Sequence, residues 1–271
     1  MQGASREAAA VAVAGLEDAL RSPDADAAMI GDDLFAVNTL ITSEPSLRRA
    51  VSDPSRSSSD RAGMLDALLA GRVTPDTRTV LGVVARERWT RPRDLTDTLE
   101  ELAVRATIAS VTTRSELDAI EDELFRFRQI VVGTPALRTA LADSAGPAER
   151  RVALLDSLLD GKVAAVTRRL IDQAVRHPRG RTLEVAIDDY SRVVAERRER
   201  LIAHVRSVTE LTDQQRDRLA GALSRMYGHE VGLNVEIDPS VVGGLSVRLG
   251  DEVFDATIAG RLDEARRRLA G

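Results

Sequence analysis

The chain repeats itself at an offset of 90 residues. Residues 61–73 (RAGMLDALLAGRV) lie over residues 151–163 (RVALLDSLLDGKV) without a gap. Seven of those thirteen pairs are identical: Arg61/Arg151, Leu65/Leu155, Asp66/Asp156, Leu68/Leu158, Leu69/Leu159, Gly71/Gly161 and Val73/Val163. Background composition would give about one match. The register holds upstream at Leu34-Phe35 over Leu124-Phe125, Pro45 over Pro135, Leu47-Arg48 over Leu137-Arg138 and Asp53 over Asp143, and downstream at Arg78/Arg168, Arg86/Arg176 and Arg91/Arg181. Two leucine-rich helices agreeing by accident would not keep one offset through helices, loops and caps. A duplicated folding unit is therefore the first constraint on architecture.

Each copy reads as a bundle of helices with short connections. Met64, Leu65, Leu68 and Leu69 make one apolar stripe at helical spacing, and Gly71 suits the left-handed position that ends a helix. Leu154, Leu155, Leu158, Leu159 and Gly161 repeat the arrangement. Glu44-Pro45 and Thr134-Pro135 interrupt the chain at equivalent points, because proline disfavours a helical residue before it and suits the first turn of the next helix. The serine-rich piece from Pro54 to Ser59 reads as a loop that supplies an N-cap. Leu183, Ile187, Tyr190, Val194 and Leu201 place one apolar face on a long helix closing the second copy, whose charged continuation through residues 196–200 is a solvated face.

The pattern changes near residue 203. Residues 203–208 alternate like a strand, and Thr212-Asp-Gln-Gln215 is a capping-box start for a helix reaching about Tyr227. Leu233, Val235 and Ile237 then alternate with polar residues, as do Leu245, Val247 and Leu249 after an Asp238-Pro239 turn and Gly243-Gly244. A helix from about Ala256 to Leu269 closes the chain. The expected fold is mainly α: two tandem repeated helical bundles, residues 1–112 and 113–202, followed by a small α+β module, residues 203–271.

Composition removes several function classes. Among 271 residues there is no cysteine, which excludes disulfides, thiolate zinc, iron–sulfur clusters and a cysteine nucleophile. The net charge is −5, Lys162 is the one lysine, and seven aromatics provide no stacking platform, so nucleic acid and anionic lipid are poor partners. The apolar run from Ala8 to Leu16 is too short to span a bilayer and lacks a basic flank, which predicts neither a membrane helix nor a signal peptide. His177, His204 and His229 fall on three different elements, none with a ligand partner at metal-binding spacing. There is no phosphate loop, no GxGxxG fingerprint and no GxSxG elbow, and Gly243-Gly244 between two strand-like runs reads as a bulge or close backbone approach. No cofactor and no catalytic residue are expected.

One stretch carries a family resemblance. Residues 233–255 (LNVEIDPSVVGGLSVRLGDEVFD) combine a hydrophobic strand, Asp-Pro, paired glycines and an alternating strand ending in Gly-Asp. This resembles the signature of the ATP synthase delta subunit family, which includes the mitochondrial oligomycin-sensitivity-conferring protein. Leu211-Thr-Asp-Gln-Gln215 and Leu223-Ser-Arg-Met-Tyr-Gly228 resemble the helix leading into it, and the layout from Glu123 to Gly271 is similar to an ordinary member. Two departures stand out. Asp255-Ala256-Thr257 replaces the Asp-Gly-Ser usual after the second strand, and the chain exceeds a typical member by about ninety residues, the length of one repeat. Residues 1–112 thus look like an extra helical copy, as in the long delta subunits of actinobacteria.

The resemblance implies a non-catalytic stator subunit of the F-type ATP synthase. Its helical domain would receive N-terminal helices of the alpha subunits, its C-terminal module would grip the b subunit, and the protein would sit on the cytoplasmic face of the plasma membrane through those partners, one monomer per complex. For the head contact the candidates are Leu34, Phe35, Leu65, Leu68 and Leu69, or their repeats Leu124, Phe125, Leu155, Leu158 and Leu159. For the stalk contact they are Val242, Gly243, Gly244, Leu245, Val247, Leu249 and Val253. A helical-repeat adaptor unrelated to ATP synthase is the alternative, with an enzyme using an unrecognised carboxylate site behind it.

Overall fold

The structure, a computed structural model, describes residues 3–143, 146–227, 231–238, 244–249 and 252–255. The first copy supplies α1 (Ala4–Leu20), α2 (Ala27–Ser43), α3 (Pro45–Ser52), α4 (Ser58–Leu69), α5 (Pro75–Arg86) and α6 (Pro92–Ala109). The second supplies α7 (Arg114–Gly133), α8 (Pro135–Ala142), α9 (Ala148–Leu159), α10 (Ala165–Arg176) and α11 (Leu183–Arg200). After these come β1 (Ile202–Ser207), α12 (Asp213–Tyr227), β2 (Gly232–Ile237), β3 (Leu245–Leu249) and β4 (Glu252–Asp255). The chain is mainly α with a small α+β module, as the sequence pattern predicts. Two compact units form: Met1–Val111 with Ile120–Val194, and Thr112–Ala119 with Ala195–Gly271.

The offset of 90 is visible helix by helix. It carries α3, α4 and α5 onto α8, α9 and α10 residue for residue, and α2 onto the same last residue as α7. It also carries α1 onto α6 and α6 onto α11, within two residues at each end. So α6 closes the first copy and opens the second. Its burial agrees: α1 buries one stripe, Ser5, Ala8, Ala12 and Leu16, whereas twelve of the eighteen residues of α6 are buried, on every side of the helix. Gly31 of α2 lets the α2 backbone come so near α6 that a Cβ there would lie 2.4 Å from the Thr107 hydroxyl.

Local chemistry explains the boundaries. Asp26, Ser57 and Thr74 accept backbone N–H bonds at the starts of α2, α4 and α5, and proline opens α3, α5, α6 and α8. Gly71 and Gly161 stop α4 and α9 with φ of 69° and 66°. The expected apolar stripe is narrower than its sequence: Leu65 and Leu69 are buried, Met64 is half-buried, and Leu68 stays 37% exposed. Positions i and i+4 meet the bundle, while i+3 has turned away from it.

In the second unit the sheet order is β2-β1-β3-β4, with β1 and β2 parallel and the other pairs antiparallel. The parallel pair needs a crossover, and α12 provides it. Its start is the predicted capping box: the Thr212 hydroxyl accepts from Gln215 N (3.3 Å) while Gln215 Oε1 accepts from Thr212 N (2.9 Å). Ala203, Val205, Val247 and Leu249 of the central strands bury against Leu223 of α12 and Val231. Leu233 and Val235 reach the edge of that core, but Ile237 at the end of β2 is exposed. The expected turn at Pro239 and the closing helix 256–269 lie outside the described residues.

Candidate partner-binding surfaces

The first unit is held by contacts that occur twice. In both copies an aspartate on the fourth helix pairs with an arginine on the fifth, Asp66 with Arg78 (2.7 Å) and Asp156 with Arg168 (2.5 Å). The hydrogen bond from Arg78 holds the Asp66 carboxyl below its usual range. A carboxylate on the second helix caps the fifth in each copy: Asp33 accepts from Thr74 N and the Thr77 hydroxyl, and Glu123 from Ala164 N and the Thr167 hydroxyl. Buried Arg61 donates to the carbonyls of Ala85 (2.9 Å), Arg86 (2.9 Å) and Glu87 (3.0 Å) at the end of α5, and its counterpart Arg151 is buried as well. The residues identical between copies are thus the ones that shape each bundle.

The two copies meet through a network with no counterpart in the repeat. Glu100 of α6, only 5% exposed, accepts from Arg179 Nη1 (3.0 Å), Arg181 Nη2 and the Tyr190 hydroxyl (2.6 Å). Arg179 also reaches the Thr96 carbonyl and Asp97 (2.7 Å each), while Asn38 of α2 donates to the Thr96 carbonyl and accepts from Arg179. Arg179 adopts a positive φ of 53°, a left-handed conformation uncommon for a residue with a side chain. Burial, then the Glu100 charge, pushes the Tyr190 phenol well above its ordinary range. Beside the network lies a cleft of about 410 Å³ between α2 and the α10–α11 corner, where the His177 ring is held below its usual pKa by burial and by Arg176. Apolar patterning does not reveal this seam. The only trace in the sequence is that Glu100 and Tyr190 stand 90 residues apart, so that equivalent positions of consecutive copies touch.

The sequence-derived candidates separate into two sets. Leu34, Phe35, Leu65, Leu69, Leu124, Leu155 and Leu159 are buried in the helical unit, whereas Leu68 and Phe125 are exposed and Leu158 is half-buried. Phe35 and Phe125 are equivalent in the repeat but 5% and 56% exposed. Phe35 lines the cleft against the second copy, while Phe125 shares α7 with exposed Ile130 and Val132. In the module, Val247 and Leu249 are buried, Leu245 is half-buried, Gly244 has φ of 82°, and Val253 on edge strand β4 is 61% exposed. Val242 and Gly243 lie outside the described residues. Sequence reasoning missed Phe254, whose ring meets Tyr227 edge-on at 6.5 Å yet keeps an open face.

Catalytic geometry is not what these surfaces offer. Among the described residues no group of three or more His, Asp or Glu side chains is placed to hold a metal ion, and no helix is long and apolar enough to cross a membrane. His204 pairs with Glu199 (2.9 Å), and His229 lies outside the described residues.

Comparison with known proteins agrees with the C-terminal signature. The profile of the family described as ATP synthase delta (OSCP) subunit matches residues 104–269, leaving most of the first copy outside it. ATP synthase subunit delta of Thermobifida fusca is 46% identical over 271 residues, covering all of both chains. That of Kineococcus radiotolerans is 46% identical over 99% of this chain and 98% of its own, and that of Streptomyces griseus 43% identical over the whole of both. Similarity along the full length sets aside an unrelated adaptor and extends through the first helical copy. The chain belongs to the ATP synthase delta (OSCP) family, whose members are non-catalytic subunits of the ATP synthase peripheral stalk.

Proposed function

We propose that this chain links the alpha subunits of the catalytic head to the b subunit of the stalk, so that the head does not turn with the rotor. The helical copies receive amphipathic N-terminal helices of alpha, and the C-terminal module holds the end of b. The protein acts as one monomer per complex, peripheral to the cytoplasmic face of the membrane, with no direct insertion and no nucleic-acid partner. The division at 112/113 and 202/203 is then one of sequence copies, with α6 packed in both.

The observation that carries this reading is where the exposed candidates fall. Leu68 and Phe125 lie on the helical unit, and Val253 lies on the sheet module. The buried candidates, Leu34, Phe35, Leu65, Leu69, Leu124, Leu155, Leu159, Val247 and Leu249, set the shape of each surface from beneath. Half-buried Leu158 and Leu245 border them, and Gly244 immediately precedes β3. A few apolar anchors of this kind dominate helix docking.

Calorimetric titration of the full chain with an alpha N-terminal peptide and with a soluble b fragment tests the assignment. Phe125→Asp with Leu68→Asp should weaken the peptide and spare the b fragment, and Val253→Asp with Phe254→Asp should do the reverse. If neither ligand binds the unmodified chain, the proposal fails.

A further inference from the structure

The cleft between the helical copies is walled on one side by a histidine. His177 ends α10, its N–H donating to the Gln173 carbonyl (3.0 Å), and its half-buried ring lines the cleft opposite α2. There Nε2 lies 3.5 Å from the Thr39 hydroxyl. That hydroxyl gives its one proton to the Phe35 carbonyl (2.9 Å), so toward the ring it is an acceptor, and the ring meets it as Nε2–H. A second proton can then enter only at Nδ1, and with it comes a positive charge.

The anions around the ring are already matched. From α2 the cleft receives Asn38, Thr39, Thr42 and Ser43, all uncharged; Asp32 of that helix is paired with Arg169 (2.8 Å) and Asp33 caps α5. On α6, Glu100 takes Arg179 and Arg181, and Asp97 takes Arg179. Asp172 of α10 holds Arg176 (2.6 Å) and faces Arg168 (3.9 Å). Of α11, Asp189 is paired with Arg181 (2.8 Å) and Tyr190 is bonded to Glu100. Burial and the neighbouring Arg176 outweigh Glu100 and Asp172, and the imidazole is held below its ordinary pKa. The counterpart of His177 in the first copy is Glu87, so the repeat itself does not call for a titrating base here.

We propose that His177 makes the seam between the copies an acid-sensitive latch: with the ring neutral the α10–α11 corner lies against α2, and uptake of a proton at Nδ1 drives the ring out of the cleft and loosens that corner. The proton binds more weakly in the closed seam than on a hydrated imidazole, so acid favours opening and neutral pH favours closure. The bonds from Arg179 and Arg181 to Glu100 remain as the hold when the ring has left, which makes the response graded. The latch is independent of which partners the helical copies hold.

The test uses the full chain and separates the charge of the ring from its packing. Ring-proton NMR, assigned by the signal lost in His177→Asn, should place the titration of His177 below the ordinary imidazole value of about 6.5. Hydrogen exchange, corrected for the intrinsic rate at each pH, should speed up severalfold at residues 38–43 and 177–182 between about pH 7.5 and about pH 5.5, with α4 and α5 unchanged. His177→Asn, whose side chain does not titrate, should lose that acceleration. Thr42→Glu, confirmed folded by circular dichroism, sets a carboxylate on the α2 wall of the cleft; it should move the His177 titration upward and cancel the acceleration. A His177 that titrates at or above the ordinary value overturns the latch, as does exchange at the two segments that ignores pH or that accelerates equally in His177→Asn. Acceleration spread through α4 and α5 would mean that acid loosens the whole unit, and overturns it as well.

Discussion

Replacing Glu100 by alanine tests whether the two helical copies are one body. The carboxylate takes three donors in a place where it is 5% exposed, and Arg179 and Arg181 retain 10% and 21% side-chain exposure. Truncation does not strand the two cations entirely, since Asp97 remains 2.7 Å from Arg179 and Asp189 remains 2.8 Å from Arg181. The Tyr190 hydroxyl, whose ring lies under Arg181, loses its acceptor in a buried site, which costs about 1–3 kcal/mol. Breaking a buried pair by removing one partner costs about 3–5 kcal/mol, and the surviving carboxylates put the expected loss near the lower end. Urea unfolding followed by Trp89, the single tryptophan and part of the first copy, should show that loss. Hydrogen exchange should accelerate at residues 177–182. Glu100→Gln, which keeps the volume but not the charge, should fall between. A change below about 1 kcal/mol in Glu100→Ala, within the range of an exposed pair, would refute the view that this network holds the copies together.

Three further outcomes follow from the same geometry. Gly31→Val should destabilise by about 1–3 kcal/mol in urea, because the new side chain must displace Thr107 at the closest approach of α2 and α6. His177 has its folded pKa below the unfolded value of 6.5, so its contribution is complete above that pH and is lost as pH falls through and below it. His177→Asn should flatten the stability profile over that window, and an unchanged slope would assign it to other groups. Arg61→Met should lower stability by about 3 kcal/mol or more, since it strips buried carbonyls at the end of α5 of a charged donor, readable as a lower unfolding midpoint.

Helix positions, the strand alternation and the capping box at Thr212 were legible because they depend on local periodicity and on side-chain-to-backbone bonds a few residues apart. The repeat was legible because residues such as Arg61, Asp66 and Gly71 do the same work twice. Exposure was not. Phe35 and Phe125 are equivalent positions, each after a leucine, with opposite surroundings, because only the first copy has another copy packed on that face. The same holds for Leu65 and Leu68, both apolar on one helix, of which only one faces the bundle. The Glu100 network was invisible for a different reason: charged residues on helices and loops usually lie in solvent, and only assembly of distant segments buries these.

The double use of α6 leads to a prediction about where the chain can be cut. By sequence copies, a break at 112/113 leaves residues 113–271 as a conventional unit. By packing, that fragment lacks the helix that the repeat puts first in the second copy, and with it the Glu100 acceptor for Arg179, Arg181 and Tyr190. Three donors would then lose their acceptor to water, and the apolar residues that α6 covers would be exposed. A fragment beginning at residue 92 keeps α6 and every bond to Glu100, but loses Asn38 and exposes the side of α6 that faced α1 and α2. That defect leaves α6 and its bonds to Arg179, Arg181 and Tyr190 in place, whereas the shorter fragment loses both the helix and those bonds. Residues 92–271 should therefore unfold cooperatively on heating by circular dichroism, and residues 113–271 should show a broad transition with rapid hydrogen exchange in α10 and α11. If the shorter fragment melts as sharply and as high as the longer one, α6 belongs to the first copy alone, and the duplication joins two independent bundles instead of building one.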